Sequence, residues 1–253
     1  MGIVADHPVT LVTIGDMKNP LILLACLAFV SMIVMEKMNI KGNVKNSTDK
    51  LATSCYKMLK NTYSREYSEI MEMFYGISVS ELSSLDTKSV YSHRPESFFI
   101  LDLEIPKNNC SLYDCLSSFT EYETLDGDNA WYNEETDEKI PVKKRITFWS
   151  LPKILIITFK RFSFDGKKLQ DLVDYPLTDL NLSKFVSGYN AKQYMYDLYG
   201  VCNHSGNTQG GHYTAFVKTG VTWTHFNDTQ VQRNVPEKNI VTPKSYCLFY
   251  RKK

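Results

Sequence analysis

The sequence has 253 residues, 43% hydrophobic and 13% aromatic, enough apolar side chain for one or two sizeable cores and too much for a disordered chain. Its 29 basic and 28 acidic residues are interspersed and leave a net charge of +1, so there is no basic stripe to follow a phosphate backbone, and nucleic acid is not an expected partner. Six cysteines, Cys26, Cys55, Cys110, Cys115, Cys202 and Cys247, are scattered without a CxxC pair. That pattern argues against a secreted disulfide framework and for reduced thiols in an intracellular setting, cytoplasm or nucleus.

In chain order, Met1-Gly2 is followed by Asp6 where a myristoylation signal has Ser or Thr, which argues against that anchor. Residues 21–35 (LILLACLAFVSMIVM) are uncharged but shorter than the ~20 residues that cross a bilayer, with Lys18 before them and Glu36 and Lys37 after. A buried helix starting near residue 20, capped by Asn19 with Pro20 in its first turn, is the expectation; a membrane segment through 21–35 is the alternative. The polar stretch 41–50 (KGNVKNSTDK) reads as a loop. Leu51, Cys55, Met58 and Leu59, then Ile70, Met71 and Phe74, recur at helical spacing and predict one or two further helices.

After Gly76 the character changes to β-rich runs, such as 98–103 (FFILDL), 154–159 (ILIITF), 196–202, 213–217 and 246–250 (YCLFY). Between them, 111–119 puts Leu112, Cys115, Leu116 and Phe119 on one helical face, with Asn108 or Ser111 as cap. Helices first and strands later, without βαβ alternation, predict an α+β fold.

The chemistry concentrates in 196–250, which holds YDLYGVCNHSGNTQGGHYTAFVKTG, WTHFNDTQV and YCLFY. His212 follows Gly210-Gly211 and opens a strand, so an imidazole is presented where a flexible loop meets a rigid element, a suitable place for a general base. Asn227 and Asp228 follow about 15 residues later, far enough for a hairpin to return beside the first strand. An amide or carboxylate there would bond one imidazole nitrogen and fix its tautomer. The residues alone leave a second reading open, in which His212 and the Asn-Asp pair are turn residues.

GGHYTAF followed by W-x-x-F-N-D and a terminal YCLFYR resembles the His box of ubiquitin-specific proteases, cysteine peptidases that remove ubiquitin from proteins. Residues 151–162 (LPKILIITFKRF) resemble that family's central palm strand, 98–106 (FFILDLEIP) the strand before it, and 110–123 (CSLYDCLSSFTEYE) the stretch leading to its fingers. The resemblance implies a papain-like hand with thumb, palm and fingers over residues 1–253 as one domain, with the His box at 196–250. It implies His212 as the base, Asn227 as the residue that orients it and Asp228 as a polar auxiliary. Gly210 and Gly211 would lie beside ubiquitin's narrow Gly-Gly tail, Tyr213 would wall the channel, and 203–209 (NHSGNTQ) would be a neighbouring mobile loop.

The family opens with a Gly-Asn-Thr-Cys box whose Cys begins a helix, where the helix dipole favours a thiolate. Here residues 13–29 look like a degenerate version: Gly15 matches its Gly, Lys18 stands at its Cys, and Thr13 stands where the family has an oxyanion-hole Asn. An ammonium has no free lone pair and is disfavoured at a helix N-terminus, so Lys18 does not replace the thiolate. Cys55 reads as a packing thiol, and Cys26, inside the apolar helix, as an inert one. The family's fingertip zinc site uses two CxxC pairs; none exists here, so neither metal nor cofactor is expected. The resulting expectation is an inactive protein-binding or scaffold module whose partner is ubiquitin or another protein. The alternative is an active cysteine deubiquitinase that cleaves after the ubiquitin C-terminal glycine with another nucleophile.

Overall fold

The computed structural model describes residues 46–253, apart from 66, 164, 165 and 208. The expected helix from residue 20, the apolar segment 21–35 and the degenerate Cys box, with Thr13, Lys18 and Cys26, lie outside the described residues.

The first described helix, α1 (Ser47–Tyr63), begins inside the stretch whose composition reads as a loop. Asn46 is extended and its side chain accepts from the Asp49 amide at 3.0 Å, while Asp49 places a carboxylate in the first turn. The polar run Asn-Ser-Thr-Asp is therefore a cap and a first turn for residues 46–49. From there the helical spacing holds: Leu51, Ala52 and Cys55 pack on Ile77, Val79 and Trp149, with Met58 and Leu59 against them. A short helix follows, α2 (Glu69–Phe74), capped by Ser68.

Three strands come next, β1 (Gly76–Ser83), β2 (Val90–Phe98) and β3 (Ile100–Leu103). The single strand expected over 98–103 is thus split at Phe99. Phe98 ends β2 opposite Gly76, whereas Ile100 begins a parallel pairing with Ile156 in a different sheet. Phe99 faces away from the core, its ring 5.8 Å from Phe74 and 5.4 Å from Tyr75. An unbroken apolar run carries no mark of such a change of sheet.

A two-residue strand, β4 (Cys110–Ser111), leads into α3 (Leu112–Phe119). Ser111 is the cap: its hydroxyl accepts from the Asp114 amide and the Asp114 carboxylate accepts from the Ser111 amide, a reciprocal box. Leu112, Cys115 and Leu116 are buried, and Phe119 stacks on Phe148 at 5.9 Å. The remaining strands are β5 (Glu123–Leu125), β6 (Trp131–Asn133), β7 (Glu138–Ile140), β8 (Val142–Ser150), β9 (Ile154–Phe159), β10 (Val173–Asp174), β11 (Leu180–Asn181), β12 (Met195–Gly206), β13 (Gly211–Thr219), β14 (Thr222–Asn227), β15 (Gln230–Val235) and β16 (Ser245–Lys252).

Two sheets dominate. One has the order β2-β1-β8-β5; the larger has the order β15-β14-β13-β12-β16-β9-β3, with β11 on β12. The main core lies between the larger sheet and α3, around Leu112, Leu116, Ile157, Phe159, Tyr196 and Tyr250. In the polar region 124–144, β6 and β7 pair as a hairpin, and Trp131 stacks on Tyr91 of β2 at 5.8 Å and 14°. No group of three or more metal-ligating side chains occurs among the described residues. No described helix is long and apolar enough to cross a membrane.

The smaller sheet buries one carboxylate. Glu81 of β1 accepts from Arg145 Nε at 2.9 Å, Tyr122 Oη at 3.1 Å and His93 Nε2 at 3.1 Å, while Arg145 and Lys143 lie over the Tyr122 ring. Burial alone would raise the Glu81 pKa, but these donors outweigh it and hold the group below its ordinary 4.5. A carboxylate depressed in the folded state stabilises fully above its unfolded pKa and loses that contribution as pH falls through the folded one. Glu81→Gln is therefore expected to lower the urea midpoint at neutral pH, with the gap from the parent chain closing below about pH 4. A gap that stays constant down to about pH 3 would show that Glu81 acts through shape and not through charge.

Candidate active site

The hairpin expected around His212 forms. β13 and β14 pair with Ala215 opposite Phe226, which brings the first residues of β13 beside the end of β14. His212 Nε2 lies 2.6 Å from Asn227 Oδ1. An amide oxygen only accepts, so Nε2–H donates and Nδ1 keeps the free lone pair. Asp228 Oδ2 is 4.0 Å from the same nitrogen. Asp228 itself occupies the turn between β14 and β15 with φ 50°, a left-handed conformation that Asp tolerates. Asn227 thus ends a strand and faces His212, while Asp228 makes the turn.

The glycines divide. A Cβ on Gly210 would meet no described residue within 4 Å. A Cβ on Gly211 would fall 2.1 Å from His204 Nε2 and 2.6 Å from the Ser205 carbonyl. The sequence reading required glycine there for a ligand; the fold already requires it, because the backbone of β13 lies against the imidazole of the neighbouring strand. Tyr213 is exposed, with its ring 4.7 Å from that of His204.

The expectation of a mobile loop over 203–209 is corrected. Residues 203–206 belong to β12, paired with β13 and β16, and Asn203 and His204 are both buried. Residues 200–206 pair with β13 without a register shift, so Asn203 and His204 face opposite sides of the sheet and both sides are covered there, which a period-two reading does not anticipate. Beyond Gly206, the Asn207 amide donates to the Gly210 carbonyl at 3.0 Å, and the Gln209 and Gly210 amides donate to the Asn207 side chain.

His204 is therefore a site residue that the sequence did not single out. Its ring is surrounded by Phe162, Tyr213 and Tyr246, and its Nδ1 has no partner among the described residues. Burial, then the Lys168 ammonium, keeps its pKa below the usual imidazole value. Lys168 donates to the His204 carbonyl. A cavity of about 630 Å³ opens between these elements, lined by His204, His212, Asn227, Lys168 and Lys244 among others. Arg161, fully buried, joins the segments that carry the two lysines: Nε donates to the Ser245 carbonyl at 2.7 Å, and one terminal nitrogen donates to the Leu169 and Asp171 carbonyls at 3.1 and 2.9 Å.

No cysteine lines this cavity among the described residues. Burial pushes the thiols of Cys55, Cys115 and Cys247 up to about 12 and that of Cys202 upward, the reverse of activation. Cys55 is wholly buried against the smaller sheet, as a packing thiol would be.

A family model described as ubiquitin carboxyl-terminal hydrolase matches residues 26–250. The chain belongs to the ubiquitin carboxyl-terminal hydrolase family. It is 33% identical over 230 residues to a probable ubiquitin carboxyl-terminal hydrolase of Acanthamoeba polyphaga mimivirus, covering 86% of this chain and 48% of the viral protein. It is 38% identical over 151 residues to ubiquitin carboxyl-terminal hydrolase 10 of Arabidopsis thaliana, covering 58% of this chain and 16% of the plant protein. Among solved structures it resembles the yeast SAGA DUB module with TM-score 0.64 and 27% identity, over 78% of this chain and 45% of the other. It also resembles the SAGA Ubp8/Sgf11/Sus1/Sgf73 DUB module bound to ubiquitin aldehyde, with TM-score 0.64 and 25% identity over 78% and 46%. The chain thus spans about half the length, or less, of these relatives. The α+β arrangement is that of the ubiquitin-specific-protease fold, a papain-like hand. The hydrolase match begins at residue 26, so Lys18 and Thr13 precede it.

Proposed function

We propose that this chain is a non-cleaving member of the hydrolase family that holds ubiquitin, or another protein, at the His212 site as a binding or scaffold module. The observation that carries the reading is a base and its orienting amide, His212 and Asn227, facing a cavity that no described cysteine lines. The sequence adds Lys18 at the nucleophile's position and Thr13 at the oxyanion position, two changes that each remove a catalytic group. His212, Asn227 and Asp228 then act as remnants of a catalytic set, and Gly210, Gly211 and Tyr213 as the wall of a channel for an extended tail. Ubiquitin is the first partner to test because one of the similar modules is bound to ubiquitin aldehyde. We take residues 1–253 as one domain of this kind, with the Cys box at 13–29 and the His box at 196–250.

The competing reading is an active cysteine deubiquitinase with a nucleophile outside the described cavity lining. Ubiquitin bearing a C-terminal electrophile separates the two. The expected result is reversible binding of unmodified ubiquitin and no covalent adduct with the probe; an adduct decides for the active enzyme, and absence of any ubiquitin complex removes ubiquitin as the partner.

A further inference from the structure

The cavity beside His212 carries a charge pattern that the loss of a nucleophile does not explain. Lys168 and Lys244 both line it, together with the imidazoles of His204, His212 and His225, and no Asp or Glu does among the described residues. Among the described residues, the one carboxylate within 4.0 Å of any of these nitrogens is Asp228, beside His212 Nε2; it is mostly exposed and is not part of the lining. Lys168 is tethered through the His204 carbonyl, so its ammonium is fixed at the cavity wall. Burial and then the like charges of Arg161 and Lys244 lower the Lys168 pKa, a sign that positive charge at this wall is uncompensated. An anion entering the cavity would relieve that repulsion.

We infer that this site reads a free C-terminal carboxylate: it selects the unconjugated form of the tail it holds over the same tail linked through an amide. The inference rests on the reading of the His212 site as a seat for an extended protein terminus. The chemical distinction is a single charge. A free terminus ends in a carboxylate that accepts charge-assisted hydrogen bonds from Lys168 and Lys244, whereas a conjugated terminus presents a neutral amide to the same ammonium groups. A catalyst that must release its product gains nothing from that preference, but a module that senses unattached tails depends on it.

The test titrates the full chain by calorimetry with ubiquitin ending in its carboxylate and with ubiquitin whose terminal carboxyl is amidated. The carboxylate form is expected to bind about tenfold more tightly at low salt. That ratio should shrink as ionic strength rises towards about 1 M. Lys168→Gln with Lys244→Gln is expected to bring the ratio close to one. Lys244 is exposed, so Lys244→Gln alone gives a partial reduction in a chain whose His204 tether is intact. Equal affinity for both ubiquitins overturns the inference while leaving ubiquitin binding in place; a tenfold ratio that survives the double substitution overturns it as well. Binding of neither form removes ubiquitin as the partner, and with it the inference.

Discussion

A chain carrying Lys18→Cys is expected to form a covalent adduct with ubiquitin bearing a C-terminal electrophile, where the unsubstituted chain forms none. His212 has its tautomer set by Asn227 at 2.6 Å, so one ring nitrogen has a lone pair for a thiol proton. On the proposed reading the missing part is the group to be deprotonated: an ammonium at a helix start would be neither nucleophilic nor favoured by the dipole, whereas a thiol there would be acidified. Labelling therefore changes from absent to present, the largest effect a single substitution in this chain should produce. Cleavage of an amide-linked ubiquitin needs more, because the proposed reading places Thr13 where the family has an oxyanion donor. Adding Thr13→Asn to Lys18→Cys is expected to raise turnover by about 10²–10³ over Lys18→Cys alone. No adduct from a folded Lys18→Cys chain would mean that Lys18 does not occupy the nucleophile's position.

Arg161→Leu is expected to lower stability by roughly 3–5 kcal/mol, a large fraction of what a domain normally has. The guanidinium is fully buried and donates to the carbonyls of Ser245, Leu169 and Asp171. Leucine restores none of those bonds, and each acceptor left dry is unfavourable. Lysine keeps the charge but loses the planar fork, so Arg161→Lys should fall between the two. Because Ser245 adjoins Lys244, and Leu169 and Asp171 adjoin Lys168 and Gln170, the substitution should also loosen the cavity wall. Urea unfolding measures the first effect; a loss below about 1 kcal/mol would show that water or a rearranged loop takes over the carbonyls.

The α+β fold and the contact between His212 and Asn227 were both legible in the sequence, for physical reasons. His212, Asn227 and the two glycines lie in short runs whose chemistry depends on their order along the chain, and a hairpin converts that order into contact. The helix over 51–59 was legible as well, since one face is buried and repeats at helical spacing. Its start was not, because Asn46 and Asp49 have the composition of a loop until the cap bond is seen. The break at Phe99 was hidden by an unbroken apolar run. His204 was hidden because both sides of β12 are covered there, so burial does not alternate along the strand, and Arg161 by the rarity of a buried guanidinium whose partners are distant carbonyls. Such partners carry no side-chain signature.

The position of β16 has a further consequence for how the molecule is made. It lies between β12 and β9, pairing residues 245–252 with strands that begin at Met195 and Ile154. During synthesis β9 leaves the ribosome long before its antiparallel neighbour exists, and the apolar run of Ile154–Phe159 must wait with one edge open. The smaller sheet faces no such delay, since β1, β2, β5 and β8 all lie within residues 76–150. The molecule should therefore assemble in two stages, with the larger sheet slow and dependent on contacts distant in sequence. The half that bears His212 is completed last, so a nascent chain arrested before Ser245 would have a finished smaller sheet and no binding cavity.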